Sequence, residues 1–262
     1  MKNINLKISI ITVTLNCKSF IVHNINSVNN QSYDNIEHII IDGGSSDGTR
    51  ELIKNNKSRL LKIISEPDKG IYDALNKGIS ISTGNIIGIL HSDDLFVDQE
   101  VLNLVNQTFV SNPDVEVVIG DILFFDKSTS NQKKRVIRSG KFKPWMLRFG
   151  FMPAHTATFL RRSAIKKLGN YRNNYESAGD FEFFIRIFKV NKLRYNFLNK
   201  IIIKMRLGGT STSGMRSYLR TSSEILKALK QHNIYSNIFF VLARLPIKWF
   251  GQLLLGFQKS KK

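Results

Sequence analysis

The chain has 262 residues, 42% of them hydrophobic, an ordinary share for a globular protein with a substantial core. A single cysteine, Cys17, excludes an internal disulfide, and with no histidine near it in sequence it reads as a small buried or half-buried thiol. The net charge of +19 is unevenly spread: residues 1–126 hold 10 Lys and Arg against 16 Asp and Glu, the remainder 29 against 4, so an acidic half precedes a strongly basic one. Nucleic acid, anionic lipid and phosphorylated substrate are all polyanions suited to that second half, and charge alone does not choose among them.

Leu6 to Leu15, rich in β-branched residues, predicts the first strand. Asn16 and Ser19 follow as turn and cap residues, and Phe20 to Asn29 predicts a helix with Phe20, Ile21, Ile25 and Val28 inward. Ile36 to Ile41 predicts a second strand, stopped by Asp42-Gly-Gly-Ser-Ser-Asp-Gly-Thr49; Arg50 to Asn55 begins a helix and Leu60 to Ile64 forms a third strand. The loop Glu66-Pro-Asp-Lys-Gly70 leads to a helix over Tyr72 to Ile81, a turn at Thr83-Gly-Asn85 and the apolar run Ile86 to Leu90. Such a run is expected as a buried parallel strand, and it ends in His91-Ser-Asp-Asp94. Carboxylates directly after a buried strand lie at the carboxyl edge of a sheet, where open α/β folds bind ligands, and two adjacent acids there suit a hard divalent cation bridging to phosphate. Strands alternating with helices make the fold class α/β with a mostly parallel sheet.

Val101 to Val110 predicts a further helix and Val115 to Ile119 a strand, after which Gly120 and Asp121 open a less regular region with a polar tip over Ser128 to Arg135. Met152 to Leu160 reads as a turn into a strand, Arg161 to Leu168 as a short helix closed by Gly169, and Ala178 to Phe188 as a helix with Asp180 in its first turn. From Tyr218 the chain reads as helical, kinked at Pro246. Its apolar stretch Ile234 to Phe257 is interrupted by Arg244 and Lys248, so it lacks the run of about 20 apolar residues a membrane span needs. A basic, aromatic-bearing helix pair lying in a membrane interface fits it, the other reading being a core helix packed on the domain. Residues 1–215 are expected as one domain, in two parts that divide at about residue 125, and 216–262 as a basic helical segment. No secretory leader is expected from Met1 to Lys7.

These residues together resemble the family 2 glycosyltransferases, which have the GT-A fold and include bacterial polysaccharide and O-antigen sugar transferases. The resemblance covers roughly Ile8 to Ser211. Ser9 to Asn16 is similar to the family's first nucleotide-binding strand, Asp42 to Thr49 to its D-x-G-S-x-D-G-T turn, and Ser65 to Gly78 to the signature of one branch. His91-Ser-Asp93 stands where the family has its DxD metal motif, and Ser177-Ala-Gly-Asp180 where it has the acceptor-side base. By this resemblance Thr12, Asn16, Asp42, Ser45, Asp68, Lys69, Asn76, His91, Ser92, Asp93 and Asp94 line the donor, and Asp93 anchors Mn²⁺ or Mg²⁺. Asp180 is then the catalytic base, and His155, Glu182 and Arg206 lie toward the acceptor or its diphosphate. Gly208 to Ser211 resembles a mobile loop after the base.

Chemistry alone leaves several of these positions open. Asp42 either contacts a ligand or holds its own loop in an Asx-turn. Asp94 either orients its neighbour or caps the next helix, and His155 either binds diphosphate or metal or packs as a hydrogen-bonding side chain. His91 departs from the Asp or Asn that usually opens the DxD motif; imidazole suits Mn²⁺ better than Mg²⁺. Glu182 competes with Asp180 for the base, but a helix turns the two about 200° apart, so one is expected to point outward. The function this implies is inverting transfer of a hexose from a nucleoside-diphosphate sugar, UDP-linked, to a lipid-diphosphate-linked saccharide, by an enzyme peripheral on the cytoplasmic face of the bacterial inner membrane and without nucleic acid as a partner. A soluble or protein acceptor is the alternative within the enzyme reading. A non-catalytic nucleic-acid-binding protein is the alternative outside it, suggested by charge only.

Overall fold

Three of the apolar runs in the first half are buried along their whole length, which only the interior of a sheet covered on both faces provides. They are β1 (Ile8–Thr14), β2 (Ile36–Asp42) and β4 (Ile86–Ile89). The computed structural model describes residues 4–56, 61–125, 135–206 and 214–244. The loop Gly208 to Ser211, most of the polar tip after Ser128, the Pro246 kink and the aromatic tail beyond it lie outside the described residues.

The remaining described strands are β3 (Leu61–Ser65), β5 (Leu95–Phe96), β6 (Val117–Phe125), β7 (Arg135–Ile137), β8 (Thr158–Arg161) and β9 (Tyr195–Arg206). The sheet order is β3-β2-β1-β4-β8-β6-β9-β5, with β7 paired on β6. β1 pairs in parallel with β2 and β4, β2 with β3, and β6 with β9, whereas β8 runs antiparallel between β4 and β6. Helices α1 (Ile21–Asn29), α2 (Thr49–Asn55) and α3 (Ile71–Ile81) connect the parallel strands, and α4 (Val101–Ser111) follows β5. α5 (Arg162–Leu168), α6 (Gly179–Ile185), α7 (Gly214–Gln231) and α8 (Ile238–Leu242) belong to the second half.

Period-two alternation divides the core between the two sheet faces. Ile11, Ile39 and Ile41 pack with Leu75 of α3, Phe184 of α6 and Leu229 of α7, while Ile8 and Ile10 pack with Val105 and Phe109 of α4. Register then aligns the carboxyl ends: Thr14 pairs with Asp42, and Asp42 with Ser65. β4 stops earlier, with Ile89 beside Ile11, so the His91 to Asp94 turn starts below that edge.

The second half departs from the sequence expectation in three places. Gly120 and Asp121 do not end the strand; the β6–β9 register shifts on either side of Asp121, a β-bulge that lets β6 run on to Phe125. β9, twelve residues long, is not predicted, because its charged and polar residues break the alternation that marks a strand. The helix expected to reach Phe188 is α-helical only to Ile185 and continues as a π-turn over Arg186–Val190. In α7, Ile225, Ala228 and Leu229, with Val241 of α8, share a core cluster with α3 and α6.

Candidate active site

Two loops at the carboxyl edge are stitched to each other. Asn16, in the left-handed region at φ 51°, donates its N–H to Ser45 Oγ at 2.8 Å and accepts the Ser46 N–H on its side chain at 3.0 Å. The Cys17 N–H reaches Thr49 Oγ1 at 2.8 Å and the Lys18 N–H reaches Asp47 at 3.0 Å. Asp42 is fully buried, its carboxylate accepting from the N–H and hydroxyl of Ser45 and, at 2.7 Å, from the Ser65 hydroxyl. Of its two readings, the geometry is that of the loop-holding turn. Asp68 folds against Gly43, where a Cβ would collide with its carboxylate, and accepts the Gly70 N–H at 2.9 Å; Lys69 is exposed beside it.

Two predicted donor residues are not brought to this edge. Thr12 is fully buried, its hydroxyl within 3.2 Å of Asn24 Oδ1 and 3.0 Å of His38 Nε2. Asn76 spends its side chain on the loop before α6, accepting the Tyr171 N–H and donating to the Tyr171 carbonyl, both at 2.8 Å.

The His91 to Asp94 turn is pinned from behind by the Asn24 amide, which donates to the carbonyls of His91 at 2.8 Å and Asp94 at 3.0 Å. Ser92 and Asp93 are half-buried at the edge. Asp94 is fully buried; burial and then the Asp93 charge push its carboxyl well above the usual range, against the pull of the Thr156 hydroxyl. Burial lowers the His91 imidazole despite the pull of Asp93, leaving a neutral ring with a free lone pair. Among the described residues no group of three or more His, Cys, Asp or Glu side chains is gathered for a metal. One accessible carboxylate and a neutral imidazole fit a cation that takes its other ligands from diphosphate and water, the usual mode for Mg²⁺ and its relatives at phosphate sites.

Asp180 opens α6 on a junction that needs glycine. A Cβ at Gly179 would come within 2.7 Å of the Tyr72 ring, so its absence lets Tyr72 seat under the helix start. The Tyr72 hydroxyl accepts the N–H of Gly179 at 2.8 Å and of Asp180 at 3.3 Å, and lies 3.5 Å from Asp180 Oδ1. Oδ1 also accepts the Phe181 N–H at 2.8 Å. Burial nevertheless prevails, and the Asp180 carboxyl is pushed up to about 6. From α7, Glu224 accepts three successive N–H groups of the loop leading to Asp180: Glu176 at 2.8 Å, Ser177 at 2.9 Å and Ala178 at 2.8 Å.

Asp180, His91 and His155 line one cavity of about 610 Å³, which is bounded on its far side by Arg135, Met152 and Arg244. The His155 ring lies 5.9 Å from that of His91, and its Nε2 shares a 2.8 Å hydrogen bond with the Tyr171 hydroxyl; burial, then His91, hold it down at about 3, so it is neutral. Glu182 is not at this cavity, nor does it point outward: it is fully buried and pairs with Arg186 at 2.9 Å, Arg172 at 3.1 Å and His232 at 2.8 Å. Arg206 stacks on Phe20 at 3.8 Å, with one terminal nitrogen buried and unbonded. The sequence reading missed Tyr72, Asn24, Glu224 and Arg244 as site residues. Glu224 carried a signal as the one acid after Glu182, Tyr72 by lying within the Ser65 to Gly78 signature, and Arg244 as a charge breaking an apolar stretch; Asn24 carried none.

The glycosyl transferase family 2 model matches residues 9–169, which span both loops at the carboxyl edge and the His91 to Asp94 turn. The chain belongs to glycosyl transferase family 2. A PGL/p-HBAD biosynthesis glycosyltransferase of Mycobacterium bovis is 28% identical over 209 residues, covering 78% of this chain and 79% of the relative. Chondroitin synthase of Pasteurella multocida is 28% identical over 212 residues, 79% of this chain but only 21% of that longer protein. Among solved structures, S. aureus TarS 1–349 in complex with UDP-GlcNAc superposes with a TM-score of 0.66 at 18% identity, over 86% of this chain and 66% of that one. The mannosyltransferase PcManGT of Pyrobaculum calidifontis, in complex with GDP-Man and Mn²⁺, also gives 0.66, at 15% identity over 94% of this chain and 72% of that one. The fold of this family 2 transferase is therefore GT-A, and the protein is an inverting glycosyltransferase rather than a non-catalytic nucleic-acid binder.

Proposed function

We propose that this family 2 transferase moves a hexose from a UDP-linked donor to a saccharide carried on a lipid diphosphate, at the inner face of the bacterial membrane, in surface polysaccharide assembly. The observation that carries the reading is Asp180, a carboxyl raised to about 6, at a cavity that also reaches His91 on the donor side. Inversion by direct displacement needs one base, and a carboxylate with this affinity for protons is ionised at neutral pH yet basic enough to take the acceptor hydroxyl's proton. Asn16, Ser45, Asp68, Lys69 and Ser92 are the donor-side groups left for nucleotide and sugar, with Asp42 acting through the loop it holds. A divalent cation, Mn²⁺ or Mg²⁺, held by Asp93 with His91 as second donor, would neutralise the charge of the departing nucleoside diphosphate. The UDP-GlcNAc and GDP-Man complexes of the two structural neighbours support a nucleotide-sugar donor, and the second supports Mn²⁺.

A lipid-borne acceptor is supported by an exposed aromatic face beside the cavity. Trp145, Tyr235 and Phe239 are 58%, 70% and 79% exposed, and Phe149 stacks on Phe240 at 4.9 Å just before the cavity-lining stretch that begins at Gly150. Lys141, Lys143 and Arg148 are exposed around it, the composition of a surface that rests on anionic headgroups. The test is transfer by purified protein from UDP-, GDP- and dTDP-sugars to a lipid-diphosphate saccharide, with Mn²⁺ or EDTA. Transfer from one donor, abolished by EDTA, by Asp93→Ala and by Asp180→Asn, is expected. Transfer that survives Asp180→Asn would remove the base assignment, and failure to bind any nucleotide sugar would overturn the reading as a whole.

A further inference from the structure

The lining of the Asp180 cavity holds a charge that no carboxylate among the described residues neutralises. Arg244 is 6% exposed, and its guanidinium donates to two hydroxyls, Tyr218 at 3.2 Å and Ser222 at 2.9 Å, with the Tyr218 ring 4.8 Å under it. Among the described residues no carboxylate pairs with it, and no Asp or Glu follows Glu224 in the sequence. A buried, uncompensated guanidinium is costly, and such groups persist where a ligand supplies the counter-charge. Arg135 of β7 lines the same cavity, half-buried over the Phe124 ring at 5.8 Å, and it too has no carboxylate partner among the described residues. The same cavity is lined by apolar Ile122, Val136, Phe151, Met152 and Ile225, and the carboxylate that lines it, Asp180, forms no ion pair with either guanidinium among the described residues. Both come from the second half of the chain, away from the loops at the ends of β1 and β2 that face the donor.

We propose that Arg244 and Arg135 form an anion subsite that takes a phosphate or diphosphate ester on the acceptor, with the guanidinium forks binding phosphate oxygens in pairs. This rests on the transferase reading above and assigns the acceptor's charged group to particular residues, neither of which is the Arg206 expected from sequence. Planar, always-charged arginine suits this role, and at Arg244 the hydroxyls of Tyr218 and Ser222 orient the fork in advance.

The experiment is calorimetric titration of the full chain with three probes: a saccharide joined to a short lipid through a diphosphate, the same saccharide and lipid joined through an ether, and UDP. Wild type is expected to bind the diphosphate probe at least about tenfold more tightly than the ether probe. That preference should vanish in Arg244→Gln and shrink in Arg135→Gln, with affinity for UDP unchanged in both. Arg135 is half-buried on a short strand, so its variant keeps the test alive if Arg244→Gln unfolds. Equal binding of the two saccharide probes by wild type, or loss of UDP affinity in place of the preference, overturns the subsite. A preference for the diphosphate probe in a protein that transfers no sugar from any donor would keep the subsite and sink the proposed function; transfer without the preference would do the reverse.

Discussion

Asp180 and Glu182 stand two residues apart on one helix, and their surroundings give them opposite tasks. Glu182 is sealed among three cationic or titratable partners, whereas Asp180 meets a hydroxyl, backbone N–H groups and an apolar wall. Because burial raises its carboxyl to about 6, the rate should fall on an acidic limb near pH 6, and Asp180→Asn should lose about 10²-fold to 10⁴-fold in kcat, read from a pH–rate profile. The same shift has a stability sign: between the ordinary Asp value and about 6 the folded state binds more protons, so stability falls as pH rises through that window. Asp180→Asn should therefore melt higher than wild type at neutral pH while being inactive. Glu182→Gln should do the opposite, costing about 3–5 kcal/mol in urea denaturation because Arg186, 7% exposed, loses its counter-charge.

At the scale of elements, the loop that carries Asp180, the proposed base, is held by a helix that comes more than thirty residues later in the chain. α7 lays Glu224 against the backbone of residues 176–178, and Arg220, one turn earlier, pairs with Glu176. Hydrogen bonds from N–H groups to a carboxylate are the stronger kind, at about 1.5–3 kcal/mol each, so this contact fixes where Asp180 sits. Glu224→Ala should cut kcat by about tenfold or more, since displacements well under 1 Å matter to a proton transfer. The Glu224 charge also raises the Asp180 carboxyl, so the acidic limb should move below about 6 in the variant, a shift that simple loss of folded protein would not produce.

For the whole molecule, the charge division becomes a spatial one. The carboxyl edge at the ends of β1, β2 and β4 is built from the acidic first half, while most of the cavity lining and the aromatic face come from the basic second half. Among the described residues no helix is long and apolar enough to cross a membrane. Under the proposed lipid-borne acceptor, the aromatic face and its basic surround are the surface that would rest on anionic headgroups. Sedimentation with anionic vesicles, but not with neutral ones, is expected; high salt should weaken it, and the paired change Tyr235→Ser with Phe239→Ser should weaken it further. Equal sedimentation of that double variant and wild type would show that the face is not the contact.

The parallel half of the sheet, its helices and the edge at which His91 to Asp94 emerges are legible in the sequence, because each rests on local signals: unbroken apolar runs, glycine turns and cap residues. The positions of Asp93 after β4 and of Asp180 at the start of α6 are legible too, while the roles proposed for them rest on the transferase reading. What only the tertiary structure decided is which polar side chain is spent inside and which is left free. Thr12 and Asn76 look like ligands until Asn24, His38 and Tyr171 are seen to consume them, and Glu182 looks like a rival base until Arg172, Arg186 and His232 close around it. β9, the Glu224 clamp and the unpaired charge of Arg244 escape sequence reading for one reason. Their partners lie far away along the chain, and hydrogen bonds and desolvation depend on distance in space, which periodicity and spacing do not record.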